Sequence, residues 1–513
     1  MPALSHVVKS VGIVTVIAAI GKVLGFGRES IIAAYFGTSS TADSFFVASL
    51  IPTILFTALG SGLQAGVIPI YLEKKVENPR KANEFMSVLG SFFMIIAIIL
   101  TILCLIFTKP LVWMVAPGFS GSELALTTVL TRIMLPSLLF FTLAYMATGI
   151  LHANQRFLLP AFTSTAHNTI IIIATVLFAV PFGVRGLAWG FLIGAASQFL
   201  IQLPALKMYR FHSIFTFKPY KQEIVETFST FYPIIIAALA LQLNSVVDRI
   251  IATSLETGSV SALNYANRLL WLPLSIVLTP LITVLYPSIV ARALEGYHAF
   301  LTLTLKGLKA LVFLAIPFMI VMLISGKSLI ALAFQRGAFD VTATDTTYMA
   351  FFFYSAALPF FAMRDYMMNA FYALKKVKIA MYSCLIAVLL NILLSWTLSR
   401  FLGVGGIALA TGLSMLLQCT FLFCFLQFKR SEADIVLFTD VFLEIGKLFI
   451  IGCILYGIIF LLHPYIVEFP VFLELSIVTT LVFGGYLLLS LLVKSNSLHM
   501  LKKIRQKEGR KDS

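Results

Sequence analysis

Long apolar runs, broken only by short polar or Gly/Pro interruptions, recur from one end of this 513-residue chain to the other. About 20 such residues wound as a helix cross the roughly 30 Å of a bilayer's hydrocarbon core. Fourteen runs qualify, near residues 10–36, 41–72, 84–108, 122–154, 158–181, 185–209, 226–255, 262–293, 302–325, 342–373, 376–402, 404–428, 438–463 and 470–494. The longer ones must tilt or extend beyond the bilayer. Only 12% of the residues are charged, against about 25% in soluble domains. The expected fold class is an all-α polytopic membrane protein of about fourteen transmembrane helices.

Fourteen spans place both termini on one side. With that side cytoplasmic, 23 of the 37 Lys and Arg residues fall on inner loops, inner helix ends and the C-terminal tail, against 5 on outer loops. This is the asymmetry of the positive-inside rule. It accounts for most of the +15 net charge without nucleic acid, and the tail "LKKIRQKEGRKDS" suits anionic headgroups. The first span lacks the form of a cleaved signal and is expected to be retained. The cysteines, Cys104, Cys384, Cys419, Cys424 and Cys453, lie in predicted spans without zinc-type spacing and read as small apolar residues. The histidines do not cluster, so no metal cofactor is expected from them.

The chain also repeats itself. "GTSSTADSFFVASLIP" from Gly37 lies over "GSVSALNYANRLLWLP" from Gly258, an offset of 221, and "GVRGLA" from Gly183 lies over "GVGGIA" from Gly403, an offset of 220. The period covers six spans, so the halves share one orientation, and such parallel repeats place a substrate site between them. The expected organisation is a six-helix bundle at 1–215, a pseudo-symmetric one at 216–430, two further helices at 431–495 and a basic cytoplasmic tail at 496–513.

Nine basic residues remain inside or at the edges of spans. Lys306 and Lys309 sit near an inner helix end and read as snorkelling to the interface. Lys22 lies too deep for that, mid-span in "GKVLGFGRES". Arg28 and Arg268 lie about 12 and 9 Å from their outer helix ends at 1.5 Å per residue. Three such cations favour a hydrated chamber for an anion, since an isolated charge at mid-bilayer costs roughly 2.5–3.5 kcal/mol or more. Gly21, Gly25 and Gly27 permit close helix approach or bending of the first span. Asp43 begins the second span, where negative charge suits a helix N-terminus. Asp248–Arg249 and Arg364–Asp365 are sequence neighbours that diverge by about 100° on a helix, so each is expected to pair elsewhere.

These residues, with "MVAPGF" (Met114–Phe119), "GILHANQRFLLPAF" (Gly149–Phe162) and "FQRGAFD" (Phe334–Asp340), occur in order and at similar spacing over about residues 8–430, and they resemble the MurJ/MviN lipid II flippases of the MOP exporter superfamily. The resemblance implies two six-helix bundles plus two helices in a bacterial plasma membrane, and outward transport of lipid II, the undecaprenyl-diphosphate-linked peptidoglycan precursor, by alternating access. It places the family's basic residues of helix 1 on Lys22 and Arg28, its helix 2 acid on Asp43 and its helix 8 arginine on Arg268. Lys22 stands where arginine is frequent, and another helix 2 arginine falls on Phe56. It further implies a sodium site at Asp248, Asn391 and Thr411, with Ser395 where a second acid would stand.

Partners expected on this basis are lipid II or a related polyprenyl-diphosphate glycolipid, membrane lipids and cell-wall synthesis proteins. A flippase for an exopolysaccharide unit would need the same cations. A multidrug antiporter should carry acids in its chamber, and a membrane glycosyltransferase would need a carboxylate or metal cluster absent from the sequence. No "GxxxxGK[ST]" loop is present, so ATP is not the expected energy source. The orientation is testable. In a cysteine-free background, Phe469→Cys should react with an impermeant thiol reagent in intact cells, and Ser513→Cys only after permeabilisation. Reversal of the two would overturn the topology.

Overall fold

Within hydrocarbon a backbone must satisfy its hydrogen bonds inside its own segment. The computed structural model describes residues 2–207, 220, 223–225, 242, 245–427 and 432–495, and among these every element is helical. Among the described residues ten helices are long and apolar enough to cross a membrane, or eleven if Val341–Ala356 and Leu358–Ala373, bent by 49°, form one span. The expected fourteen differs from eleven at three places. The first helix, Pro2–Phe36, carries Lys22, Arg28 and Glu29 and is not among the ten. Helix Val377–Gln427 contains two expected spans but counts once. The expected span 226–255 lies largely outside the described residues.

The residues that end and bend these helices act through backbone chemistry. Asn78 caps helix Pro79–Ile106, its Oδ1 accepting the N–H of Arg80 at 2.9 Å, and Pro79 occupies the first turn, where its missing N–H is harmless. Pro273 ends helix Ser259–Pro273, and a single π turn, Leu274–Leu278, joins it to Thr279–Glu295. A proline and a widened turn are recognised causes of helix distortion. Two short helices, Thr108–Val115 and Gly326–Phe334, occupy segments read from sequence as loops.

The repeat is legible in the backbone. Gly183 has φ 57° and ψ −145°, and its counterpart Gly403 has φ 53° and ψ −130°. The other pair, Gly37 and Gly258, also has positive φ, 56° and 94°. Residues with a Cβ rarely tolerate such conformations. In both halves the same residue therefore makes the same sharp turn between two helices.

The chain divides into two compact units, Met1–Ser261 with Arg336–Asp340, and Ala262–Gln335 with Val341–Ser513. In the first, helix Leu158–Phe182 packs against both Pro2–Phe36 and Val184–Leu200, while Ser40–Glu77 packs on Gly121–Met134 and Ser137–Ala153. In the second, the last two helices, Glu432–Ile466 and Val471–Leu492, join Tyr297–Ile324 in one core of Val312, Ile316, Leu448, Ile451, Val478 and Val482. Polar contacts tie that assembly at its edges. Lys309 Nζ lies 2.6 Å from Asp440 Oδ2. Buried Glu474 accepts the Ser328 hydroxyl at 2.6 Å and meets His463 Nε2 at 3.2 Å. The snorkelling expected of Lys309 is thus corrected: it is buried, and a carboxylate on a neighbouring helix holds it. Lys306 is exposed.

The glycine turn yields a prediction. Gly403→Ala should lower the detergent-solubilised protein's thermal midpoint by several degrees, reflecting about 1–3 kcal/mol of backbone strain. Gly446→Ala, inside helix Glu432–Ile466 with open space around it, should not. Equal midpoints for the two variants would refute the strain argument.

Candidate functional site

The first helix packs its glycines against polar residues. A Cβ on Gly21 would lie 3.4 Å from Ser164 Oγ and Thr165 Oγ1, and one on Gly25 3.3 Å from Asn168 Nδ2. The small-residue reading of Gly21 and Gly25 is realised against helix Leu158–Phe182. Gly27 faces open space. The helix is continuous from Pro2 to Phe36.

Arg28 is mostly enclosed, with 16% of its side chain exposed. Its Nη2 lies 2.5 Å from Glu29 Oε1, and its Nη1 donates to Asn168 Oδ1 at 3.1 Å. The same Asn168 amide donates to the Gly21 carbonyl at 3.1 Å. Seven residues, about 10 Å of helix rise, separate Gly21 from Arg28. One amide can reach both only because the arginine stem slopes back toward the helix N-terminus, as long helical side chains do. The guanidinium therefore lies deeper, toward the level of Lys22, than the position of Arg28 along the helix implies. The Lys22 side chain is exposed on the same helix.

Glu29 is buried, 1% exposed, and sequence reasoning missed its part. For Arg364–Asp365 the expectation of pairing elsewhere is corrected. Arg364 Nε lies 3.1 Å from Asp365 Oδ1, as Arg28 meets Glu29. Directions from the helix axis differ by about 100° between neighbours, but a long arginine stem spans that angle.

Asp43 is buried, and its carboxylate accepts two backbone N–H groups, from Gly258 at 2.7 Å and Ser261 at 2.8 Å. Its own helix, Ser40–Glu77, is capped by Ser39, whose hydroxyl accepts the N–H of Ala42 at 3.3 Å. The expected service to a helix N-terminus exists, but at the first turn of Ser259–Pro273, the helix that carries Arg268.

Arg268, Asn391 and Thr411 belong to the second unit, and Lys22, Arg28, Asp43 and Asp248 to the first. Asn391 is fully buried and donates from Nδ2 to Thr411 Oγ1 at 3.1 Å. Thr411 in turn donates to the Ile407 carbonyl at 3.0 Å. Among the described residues Asn391 Oδ1 is a buried oxygen with no donor. An orphaned carbonyl oxygen beside a hydroxyl is the neutral half of a hard-cation ligand set, so these residues fit sodium. Ser395, one turn from Asn391, is also buried.

The family model described as "Lipid II flippase MurJ" matches residues 32–479. The match begins just after Lys22 and Arg28. A probable lipid II flippase MurJ of Buchnera aphidicola subsp. Acyrthosiphon pisum is 30% identical over 408 residues, covering 78% of this chain and 80% of the relative. A solved lipid II flippase MurJ in an inward closed conformation superposes with a TM-score of 0.80 at 25% identity, covering 93% of this chain and 97% of the other. An inward-facing multidrug resistance MATE transporter of the MOP superfamily shares the fold alone, with a TM-score of 0.67 at 13% identity, covering 81% and 97% of the two chains. The helical membrane fold, the order of motifs and the family match agree, and the chain belongs to the MurJ lipid II flippase family.

Proposed function

We propose that this protein moves lipid II from the inner to the outer leaflet by alternating access, without enzymatic turnover. The family match over residues 32–479 carries this reading. In it, Lys22 and Arg28 attract the diphosphate on the first unit, and Arg268 has the same role on the second. Asp43 serves the substrate indirectly, by holding the helix turn that precedes Arg268. The prenyl tail stays in lipid, beside the last two helices. Helix Glu432–Ile466 exposes a stripe of Ile450, Ile454, Ile458 and Leu461 that suits such a chain.

A diphosphate carries about two negative charges. Moving them outward across 100 mV, inside negative, is favoured by roughly 5 kcal/mol, so the membrane potential can set direction. Part of that is returned when the cationic protein resets. The guanidinium of Arg28 suits a phosphate because its planar fork offers donors on two edges. Both termini lie in the cytoplasm in this reading. Cell-wall synthesis proteins are its natural neighbours, because the lipid it delivers is their substrate.

A sodium ion is proposed at Asn391 Oδ1 and Thr411 Oγ1, with Asp248 as the carboxylate assigned by the resemblance. When bound, the ion supplies a positive charge whose differential affinity biases one conformation over another. Asn391 and Thr411 hold two neutral oxygens in place for it.

Two outcomes follow. Arg28→Ala and Arg268→Ala should each abolish outward delivery of lipid II in cells depleted of other flippases, with membrane insertion intact. Because Arg28→Ala removes a charged contact of the buried Glu29, it is compared with Arg28→Ala/Glu29→Gln. Full delivery by either arginine variant would remove that residue from the site. For the ion, NaCl should raise the thermal midpoint relative to KCl, and Asn391→Leu should erase the difference. A sodium effect surviving in Asn391→Leu would place the ion elsewhere.

A further inference from the structure

We propose that Asn168, on helix Leu158–Phe182, is a positioning residue for the anion site: bridging Arg28 and the Gly21 carbonyl, it orients the Arg28 guanidinium and fixes it at the level of Gly21. This rests on the reading of Arg28 as a diphosphate-binding group.

The side chain is 6% exposed, and each end of its amide is matched to a partner of opposite character. Oδ1 accepts from Arg28 Nη1 at 3.1 Å; Nδ2 donates to the Gly21 carbonyl at 3.1 Å, with Ser164 Oγ at 3.4 Å. A guanidinium only donates and a carbonyl only accepts, so a flipped amide would oppose like to like at both ends. The orientation is dictated by chemistry. Aspartate would keep the acceptor for Arg28 but set a carboxylate against the Gly21 carbonyl, and leucine would offer neither bond.

The consequence concerns Glu29. Arginine and a carboxylate prefer two parallel bonds, and a closed fork of that kind would neutralise the cation. Here Glu29 Oε1 meets Nη2 at 2.5 Å while a hydrogen of Nη1 goes to Asn168 at 3.1 Å, so the guanidinium is shared between a carboxylate and a neutral amide. Arg28 Nε, buried without a hydrogen-bond partner among the described residues, is one of the N–H donors of the fork that a phosphate oxygen could take in a state that uncovers it. Gly25 belongs to the same device, because a Cβ there would press on Asn168 Nδ2 at 3.3 Å.

The test is a double-mutant cycle on the full-length protein in nanodiscs, with undecaprenyl diphosphate and lipid II as probes. Asn168→Leu should weaken affinity for both about tenfold, the worth of a charge-assisted hydrogen bond, and less than twofold when Arg28 is already alanine. Asn168→Asp should weaken it at least as much, because it loses the donor to Gly21 and sets a negative charge beside Arg28. Asn168→Ser serves if leucine prevents folding. Unchanged affinity, or equal loss in both Arg28 backgrounds, would overturn the positioning role and leave Arg28 in place. Unchanged affinity in Arg28→Ala would instead overturn the reading of Arg28, and the inference with it.

Discussion

The cost of holding an ionised group away from water organises this molecule. The described residues meet it with short, specific contacts: Arg28 with Glu29 and Asn168, Lys309 with Asp440, and Arg364 with Asp365. Glu474 meets Ser328 and His463. Pairing of this kind adds little net stability compared with apolar packing, but breaking it by removing one partner is expensive. Such contacts therefore fix where helices meet more than how strongly they do. Lys309–Asp440 and Glu474–Ser328 register the last two helices against the rest of the second unit, over a core whose apolar side chains alone would leave sliding inexpensive.

In the role proposed for it, Arg28 uses the same physics for another purpose. A guanidinium neutralised by a carboxylate attracts an anion less, and one left alone in hydrocarbon would not be tolerated. The observed compromise is a single contact to Glu29 and a second to a neutral amide. The arginine is stabilised without being consumed. The glycine-rich stretch of the first helix makes room for this, since Asn168 sits where larger side chains on Gly21 and Gly25 would intrude.

Much of the architecture was legible because lipid allows so few alternatives. Span length and the recurrence of short motifs are linear properties, and Gly183 and Gly403, which correspond in that recurrence, share a conformation that side-chain-bearing residues avoid. The site was legible in part. Lys22, Arg28 and Arg268 stand out because charge is conspicuous in apolar sequence. Asn168 and Glu29 did not stand out: one is neutral, and the other is a single acid beside cations of its own helix. Asp43 shows the intermediate case, in which the type of role was foreseen and the recipient was not.

Sequence alone determined the class of solvent, the helical form and the presence of cations that need an anionic counterpart, because these follow from local composition and from the dielectric cost of the bilayer. Only the tertiary structure decided which group each charge meets. An arginine stem sweeps a wide arc, a lysine nearly as wide, and the partner chosen within it depends on which helices pack side by side. That choice gave Lys309, read as snorkelling, a carboxylate partner in a half-buried ion pair, and it placed Asn168, 140 residues along the chain, against Arg28.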